Sequence, residues 1–489
     1  MPCIKPPRRF LALLLGVAAV LLPLHSQALI ETYTLQNGMD VALLPLQGSG
    51  SIKMTLAYNA GFSAQTSATA GLFRTLEYIL FRGPATSPGE PEPAGALAAL
   101  GPLEVQGGSS PEGFSLSLLL NPPMLREGLD TIAYLFSHLR IQSALADSPA
   151  LSNAKESVLG IINHSLSDPF SIYNAAISKK LFSPSPWRFD EAGADYIVRP
   201  ATAASLENLA TQWLVPNNAI LVVAGEFDPS LAKQWIAAAF STWKQSSDPW
   251  KSSAYPQLPK PGVSRPVLMV YPDPSMIEGE AVIEMRYRGP DAGSSRAQAL
   301  ELLAAMASRP QSRLVAALAS SLPSWANPRA FSLTYHQSRA TSWFSASAKI
   351  SSSPKGNLPE MVLNFKETVR GAQMYGMKAN PSYFTTAEYA AAKNELIQAK
   401  QSALADPRLA VDFIAAAWLR GRIPHLLAWE DRIKALGTKD ITALADEYFM
   451  KNLEVVAVRV SVEDFARQEK SFKSYGFEII NAKTAFWWR

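Results

Sequence analysis

The sequence predicts an α+β protein made of two similar halves, with helices packed on mostly antiparallel sheets. Three observations carry this reading. Short stretches that alternate apolar and polar residues read as strands, and they are interspersed with longer stretches whose apolar residues recur at three- and four-residue steps, which read as helices. Residues 244–264 are rich in Ser, Pro, Lys and Gly, a linker composition, and they divide the chain near its middle. The order strands, helix, strands, helices, strand runs once before that linker and once after it, as in an internal duplication. The expected organisation is a leader at 1–28, a first half at 29–243, the linker at 244–264 and a second half at 265–489.

In the first half, Ile30 to Leu46 alternates on either side of Asn37-Gly38, a hairpin signal. Ser51 to Tyr58 reads as a third strand, and a helix follows over 70–82. A Pro/Gly/Ala-rich connection at 84–96 leads to strands at 103–106 and 114–120, separated by Gly107-Gly108-Ser109-Ser110. Helices are predicted over 123–139, 148–166, 202–213 and 229–243, with a buried strand at 217–225. In the second half, strands are predicted at 267–271, 281–287, 331–335, 342–350 and 455–460. Helices are predicted at 295–306, 357–374, 386–404, 408–420 and 438–449. The closing Ala485-Phe486-Trp487-Trp488-Arg489 is an aromatic stretch expected to dock on its own half.

Composition bounds the function. The first 28 residues carry Lys5, Arg8 and Arg9, an apolar run from Phe10 to Leu24, and Ser26-Gln27-Ala28, the pattern of a cleavable secretory leader. The run is short for a bilayer span, so no stable membrane span is expected after cleavage. Three of the 45 basic residues lie in the leader; the remaining 42 face 41 acidic ones, which argues against a nucleic-acid surface. The one cysteine, Cys3, also lies in the leader, so no disulfide is expected. These features together fit the periplasm of a Gram-negative bacterium.

The helix at 70–82 is the informative stretch. Arg74, Glu77 and Tyr78 stand at i, i+3 and i+4, so their side chains share one face. That spacing belongs to a helix presenting two ligands and a carboxylate to one metal ion, as in His-x-x-Glu-His. Here the two ligand positions hold a guanidinium, which has no lone pair to give, and a phenol. Arg74 and Glu77 are placed to form an ion pair with Tyr78 beside them; alternatively, the cation fills the vacated metal cavity. The four histidines beyond the leader, His138, His164, His336 and His425, show no metal-ligand spacing. Ser152-Asn153-Ala154-Lys155 matches Ser-x-x-Lys without companion motifs, and Gly107-Gly108 lacks the spacing of a phosphate loop.

Gly71-Leu72-Phe73-Arg74-Thr75-Leu76-Glu77-Tyr78-Ile79-Leu80-Phe81-Arg82-Gly83 resembles the active-site helix of the insulinase/pitrilysin (M16) family of zinc peptidases, where it runs Gly-x-x-His-x-x-Glu-His-x-x-Phe-x-Gly. Pro216-Asn217-Asn218-Ala219 with Gly225-Glu226-Phe227-Asp228, Ser312-Arg313-Leu314, and Asp168-Pro169 after a long helix are similar to further family patterns. The resemblance implies two duplicated M16-type domains. It places Arg74 and Tyr78 at the histidine ligands, Glu77 at the catalytic glutamate and Ile161 at the third ligand, so no zinc or other cofactor is implied. Counting from Ser312, the family's substrate-binding Arg and Tyr fall on Ala319 and Ala326, with Trp325 and Arg329 nearby. The implied function is a catalytically inactive subunit that pairs with an active zinc peptidase around peptides or unfolded polypeptides. A stand-alone peptide-binding or chaperone-like protein is the second reading, and an enzyme using Glu77 without metal is the least supported.

Overall fold

The computed structural model describes residues 30–82, 92–137, 149–252, 265–321, 331–339, 342–351 and 356–489, with single positions at 141, 145 and 263. The leader at 1–28 lies outside the described residues.

The first half contributes strands β1 (Glu31–Thr34), β2 (Asp40–Pro45), β3 (Ile52–Tyr58), β4 (Glu104–Ser109), β5 (Phe114–Leu120) and β6 (Ala219–Gly225). Its main helices are α1 (Leu72–Arg82), α2 (Pro93–Ala99), α3 (Leu125–Ser137), α4 (Ala150–Ser165), α5 (Pro169–Leu181), α6 (Ala203–Trp213) and α7 (Pro229–Ala239). The second half contributes β7 (Val267–Pro272), β8 (Glu280–Arg288), β9 (Ser332–His336), β10 (Trp343–Ser351), β11 (Val455–Val460) and β12 (Glu478–Ile479). Its main helices are α8 (Ser295–Ala307), α9 (Arg313–Ser321), α10 (Leu358–Glu367), α11 (Thr386–Leu404), α12 (Pro407–Ala435), α13 (Thr438–Leu444) and α14 (Val462–Ser474).

Two six-stranded sheets result, ordered β1-β2-β6-β3-β5-β4 and β12-β7-β11-β8-β10-β9. From the second strand onward they superpose in plan. β2 and β7 each run parallel to the next strand, β6 or β11, and every pair beyond that is antiparallel. The edge beside β2 and β7 is where the halves differ. The hairpin around Asn37 adds β1 antiparallel at one end, and the two-residue β12 joins parallel at the other. The sheets are thus mixed and mostly antiparallel, with helices layered on them.

The alternation of the strands decides what covers each face. In β3, Met54, Leu56 and Tyr58 point into a core closed by α1, α3, α6 and α7. The opposite face offers Ala42, Leu44, Ala57, Ile220 and Val222, and it is covered by α12, a helix of the second half, through Val411, Ile414 and Trp418. The second sheet returns the arrangement: α5 of the first half lays Ile172, Tyr173, Ala176 and Ile177 against Met269, Tyr271, Val455 and Ala457. Polar ties cross each contact. Buried Lys53 reaches Asp412 at 3.0 Å, and buried Arg286 reaches Asn174 at 3.0 Å. Each half therefore supplies a helix that finishes the other's core.

Several elements depart from the sequence reading. β4 runs straight through Gly107-Gly108, because those residues pair with Leu116 and Ser115. α12 continues fifteen residues past Arg420 with Pro424 inside it. The stretch after α10 relaxes into a π-helix over Thr368–Met374. Helices α5 and α14 and strand β12 lie where no element was expected, and α2 forms in the stretch read as a connection. The start of the linker is ordered: Trp250 donates to Asn59 O at 2.8 Å and packs on Trp213, while residues 253–262 and 264 lie outside the described residues. The closing aromatic stretch does not confine itself to its own half. Trp487 donates to Asp190 at 2.9 Å, and the Lys179 ammonium donates to the carbonyls of Thr484, Phe486 and Arg489 at 2.9–3.0 Å.

Candidate functional site

α1 begins where two backbone segments touch. Gly71 has φ +94°, and a Cβ there would meet Ala192 O at 2.4 Å; Gly193 has φ +70°, and its Cβ would meet Ala70 O at 2.2 Å. Only glycine fits at either position, which gives the first glycine of the motif a physical reason. Buried Gln65 completes the joint: its Oε1 accepts from Gly71 N at 2.8 Å and its Nε2 donates to Asp190 O at 3.1 Å. From that anchor, Leu72, Phe73, Leu76, Ile79 and Leu80 enter the core and leave Arg74, Glu77, Tyr78 and Phe81 facing β4 and α4.

Arg74 and Glu77 form a close ion pair, Nη1 donating to both carboxylate oxygens at 3.0 and 2.9 Å. The end of β4 adds two more donors to Glu77, the backbone N–H of Ser109 at 3.0 Å and its hydroxyl at 2.9 Å. Glu77 is only 8% exposed. Burial pushes its carboxyl above the usual carboxylate range, while the Arg74 charge and the Ser109 donors pull the other way. A carboxylate engaged in four hydrogen bonds is held in place and is a poor general base. The Arg74 guanidinium also stands 5.9 Å from the centre of the Tyr78 ring, and its Nε is buried without a partner.

The fold brings the third-ligand position to the same place. Ile161 on α4, Tyr78 on α1 and Trp488 of the closing stretch all pack against one small cluster, Val158, Leu159, Ile162, Ala192 and Val198. Apolar contact thus surrounds two of the positions that the resemblance aligns with ligands. Glu156, the nearest carboxylate on α4, is exposed and offers no replacement. Among the described residues, no group of three or more His, Cys, Asp or Glu side chains could hold a metal ion. His164 is exposed, His336 stacks on Trp343, and His425 is buried 3.5 Å from Arg432; His138 lies outside the described residues.

Beside the ion pair opens a cavity of about 790 Å³. Arg74, Glu77 and Tyr78 line one side, Val105 and Ser109 of β4 the floor, and Asp412 of α12 the far wall. Among the described residues β4 pairs only with β5, which leaves it an edge strand beside this opening, with Ser109 N donating to Glu77. Phe81 lies over Gly107, where a Cβ would come within 2.3–2.7 Å of its ring atoms. Of the second-half positions aligned with the family's substrate-binding pair, one is described. Ala319 is an exposed residue of α9, and Trp325, Ala326 and Arg329 lie outside the described residues. Ser312-Arg313-Leu314 has a structural explanation: the Ser312 hydroxyl caps α9 by accepting from Val315 N at 3.1 Å, and Leu314 is buried.

Fold and site together give two duplicated α+β halves, with Arg74, Glu77 and Tyr78 lining a cavity in the first. Comparisons with known proteins bear on the fold. Residues 200–396 match the family described as Peptidase M16 inactive domain. No curated protein matches the sequence. Solved structures match over nearly the whole chain. A protease from Helicobacter pylori has a TM-score of 0.70 at 17% identity, covering 89% of this chain and all of that one. A peptidase M16 inactive domain from Pseudomonas fluorescens has 0.69 at 15%, covering 88% and 98%. A chain of Complex III2 from Candida albicans has 0.66 at 16%, covering 91% and 99%. At such identities the structural likeness is one of fold. The family match is to residues 200–396, and that part of the chain is similar to the M16 inactive domain.

Proposed function

We propose that this protein is a non-catalytic M16-like subunit that pairs with a zinc-bearing M16 peptidase and forms part of the wall of a peptide-degrading chamber. The periplasm is the proposed site of action, because the basic-then-apolar leader would direct export. One observation carries the reading: the three ligand positions are refilled by Arg74, Tyr78 and Ile161, yet the cavity and the free edge of β4 beside them are kept. A surface has been retained where a reaction has been lost. The Candida albicans neighbour belongs to Complex III2, so the same fold serves within an assembly there.

The test is to mix the purified protein with an M16 peptidase of the same genome that carries an intact His-x-x-Glu-His. A one-to-one complex by light scattering, with faster peptide turnover than the peptidase alone, is the expected result. Separate elution with unchanged turnover overturns the subunit reading. The free β4 edge, a ready template for strand addition, would then favour the second reading, a stand-alone binder of extended peptides.

A further inference from the structure

We infer that the cavity beside β4 selects extended peptide segments carrying an acidic side chain, with Arg74 as the group that reads the carboxylate. The inference rests on the reading above that this cavity takes extended peptides, and it adds what such a peptide must carry. Among the described residues that line the opening, Arg74 is the basic one. Its guanidinium spends a single nitrogen, Nη1, on Glu77, and its Nε is buried with no acceptor. That leaves the terminal nitrogen Nη2 to donate a charge-assisted hydrogen bond to a carboxylate in the cavity. The two acids that share the lining are already engaged. Glu77 is bound by Arg74 and Ser109, and Asp412 is paired with Lys53 at 3.0 Å. An incoming carboxylate would therefore meet a cation whose outer nitrogen the protein leaves without an acceptor among the described residues.

The strand geometry sets the spacing of the motif. Val105, Gly107 and Ser109 lie on the same face of β4 as Leu118, Leu116 and Phe114, the face that looks toward α1. α1 runs along this face, with Phe81 over Gly107 and Glu77 at Ser109, which leaves Arg74 at the Ser109 end. At the other end, Val105 is 44% exposed and Leu97 also lines the cavity. A peptide added to the β4 edge projects alternate side chains along the same face. An acidic residue at the Arg74 end thus pairs with an apolar residue about four positions away, roughly 13 Å along the strand.

The experiment uses the full-length protein and fluorescein-labelled decapeptides that carry Glu and Leu four residues apart, in both sequence directions, together with Gln-for-Glu versions. Fluorescence anisotropy at low salt should show one Glu peptide binding at least tenfold more tightly than its Gln counterpart, with the advantage shrinking as salt rises. Arg74→Gln should abolish the difference while leaving the Gln peptide's affinity within about twofold. If Arg74→Gln fails to fold because Glu77 is left unpaired, Arg74→Gln/Glu77→Gln takes its place, since it buries no lone charge. Equal binding of Glu and Gln peptides to the wild-type protein would overturn the role of Arg74 and leave the groove standing. No binding of any peptide would overturn the groove itself.

Discussion

Trp487 donates its indole N–H to Asp190 at 2.9 Å, which fastens the closing stretch of the second half to the loop that supports α1 in the first. The other Asp190 oxygen accepts from Gly193 N at 2.9 Å, next to the point where Gly193 meets Ala70. These donors are neutral, so burial dominates and pushes the Asp190 carboxyl up to about 6 from its ordinary 3.8. The folded protein thus holds this proton more tightly than the unfolded chain does. The resulting stabilisation is complete below the ordinary aspartate value and is lost as pH rises through about 6. It amounts to at most about 3 kcal/mol. Denaturant titrations at successive pH values should show stability declining from pH 4 to pH 7. Asp190→Asn should flatten that slope whatever its offset; an unchanged slope would assign the dependence to other groups.

Trp418 is fully buried between α12 and the first sheet, and it donates to Asp40 at 2.8 Å. Trp418→Ala should cost about 3–5 kcal/mol, the usual range for emptying a large aromatic site. Trp418→Phe keeps most of the packing and should cost less. Urea midpoints at constant slope are the measurement, and a loss under about 1 kcal/mol for the alanine variant would mean that α12 is not integral to the first sheet.

The purified protein should carry well under one zinc per chain by metal analysis after dialysis. Arg74→His, Tyr78→His and Ile161→Glu together should recover little peptidase activity. The new ligands would lack supporting hydrogen bonds, and residue 161 sits against Val158, Leu159 and Ile162. Efficient cleavage of a quenched peptide by the isolated triple variant would show that only the ligands had been lost.

Gly107→Val should disturb the cavity directly. Its Cβ would fall within 2.3 Å of Phe81, a ring that also stacks on Phe114 at 5.7 Å. Either β4 or Phe81 must shift, at a cost of about 1–3 kcal/mol. Thermal melts should show the loss, together with weaker binding of any peptide that wild type retains.

Much of the fold was legible because period and punctuation agree. β3 alternates cleanly, Asn37-Gly38 turns a hairpin, and α1 carries an uninterrupted apolar stripe. What the sequence concealed has specific causes. α5 has a weak apolar stripe because one face meets a sheet of the other half and another meets loops, but Asp168-Pro169 marks its start. Asp168 accepts from Ser171 N at 2.7 Å. Asp228-Pro229 and Asp406-Pro407 open α7 and α12 in the same way, so the signal was available three times. The sequence reading ends this helix at 420, yet Gly421 and Pro424 lie inside α12. It continues because Val411 to Trp418 are pinned on one sheet while Trp429 and Ile433 are pinned in the second core. For the site, Arg74, Glu77 and Tyr78 could be grouped from spacing alone. The role of Ser109 could not, since its link to Glu77 depends on a strand running through two glycines.

The exchange of α5 and α12 between the halves has a consequence for how the chain can be supplied. Each half alone would expose the sheet face that the other covers, so residues 30–252 and 265–489 should aggregate when expressed separately. Expressed together as two polypeptides, they should reassemble without the connecting segment, because the information for docking lies in the helices and not in the link. Such a split protein would be a natural complementation reporter: any signal fused to the two fragments would read out whether α12 has found its sheet.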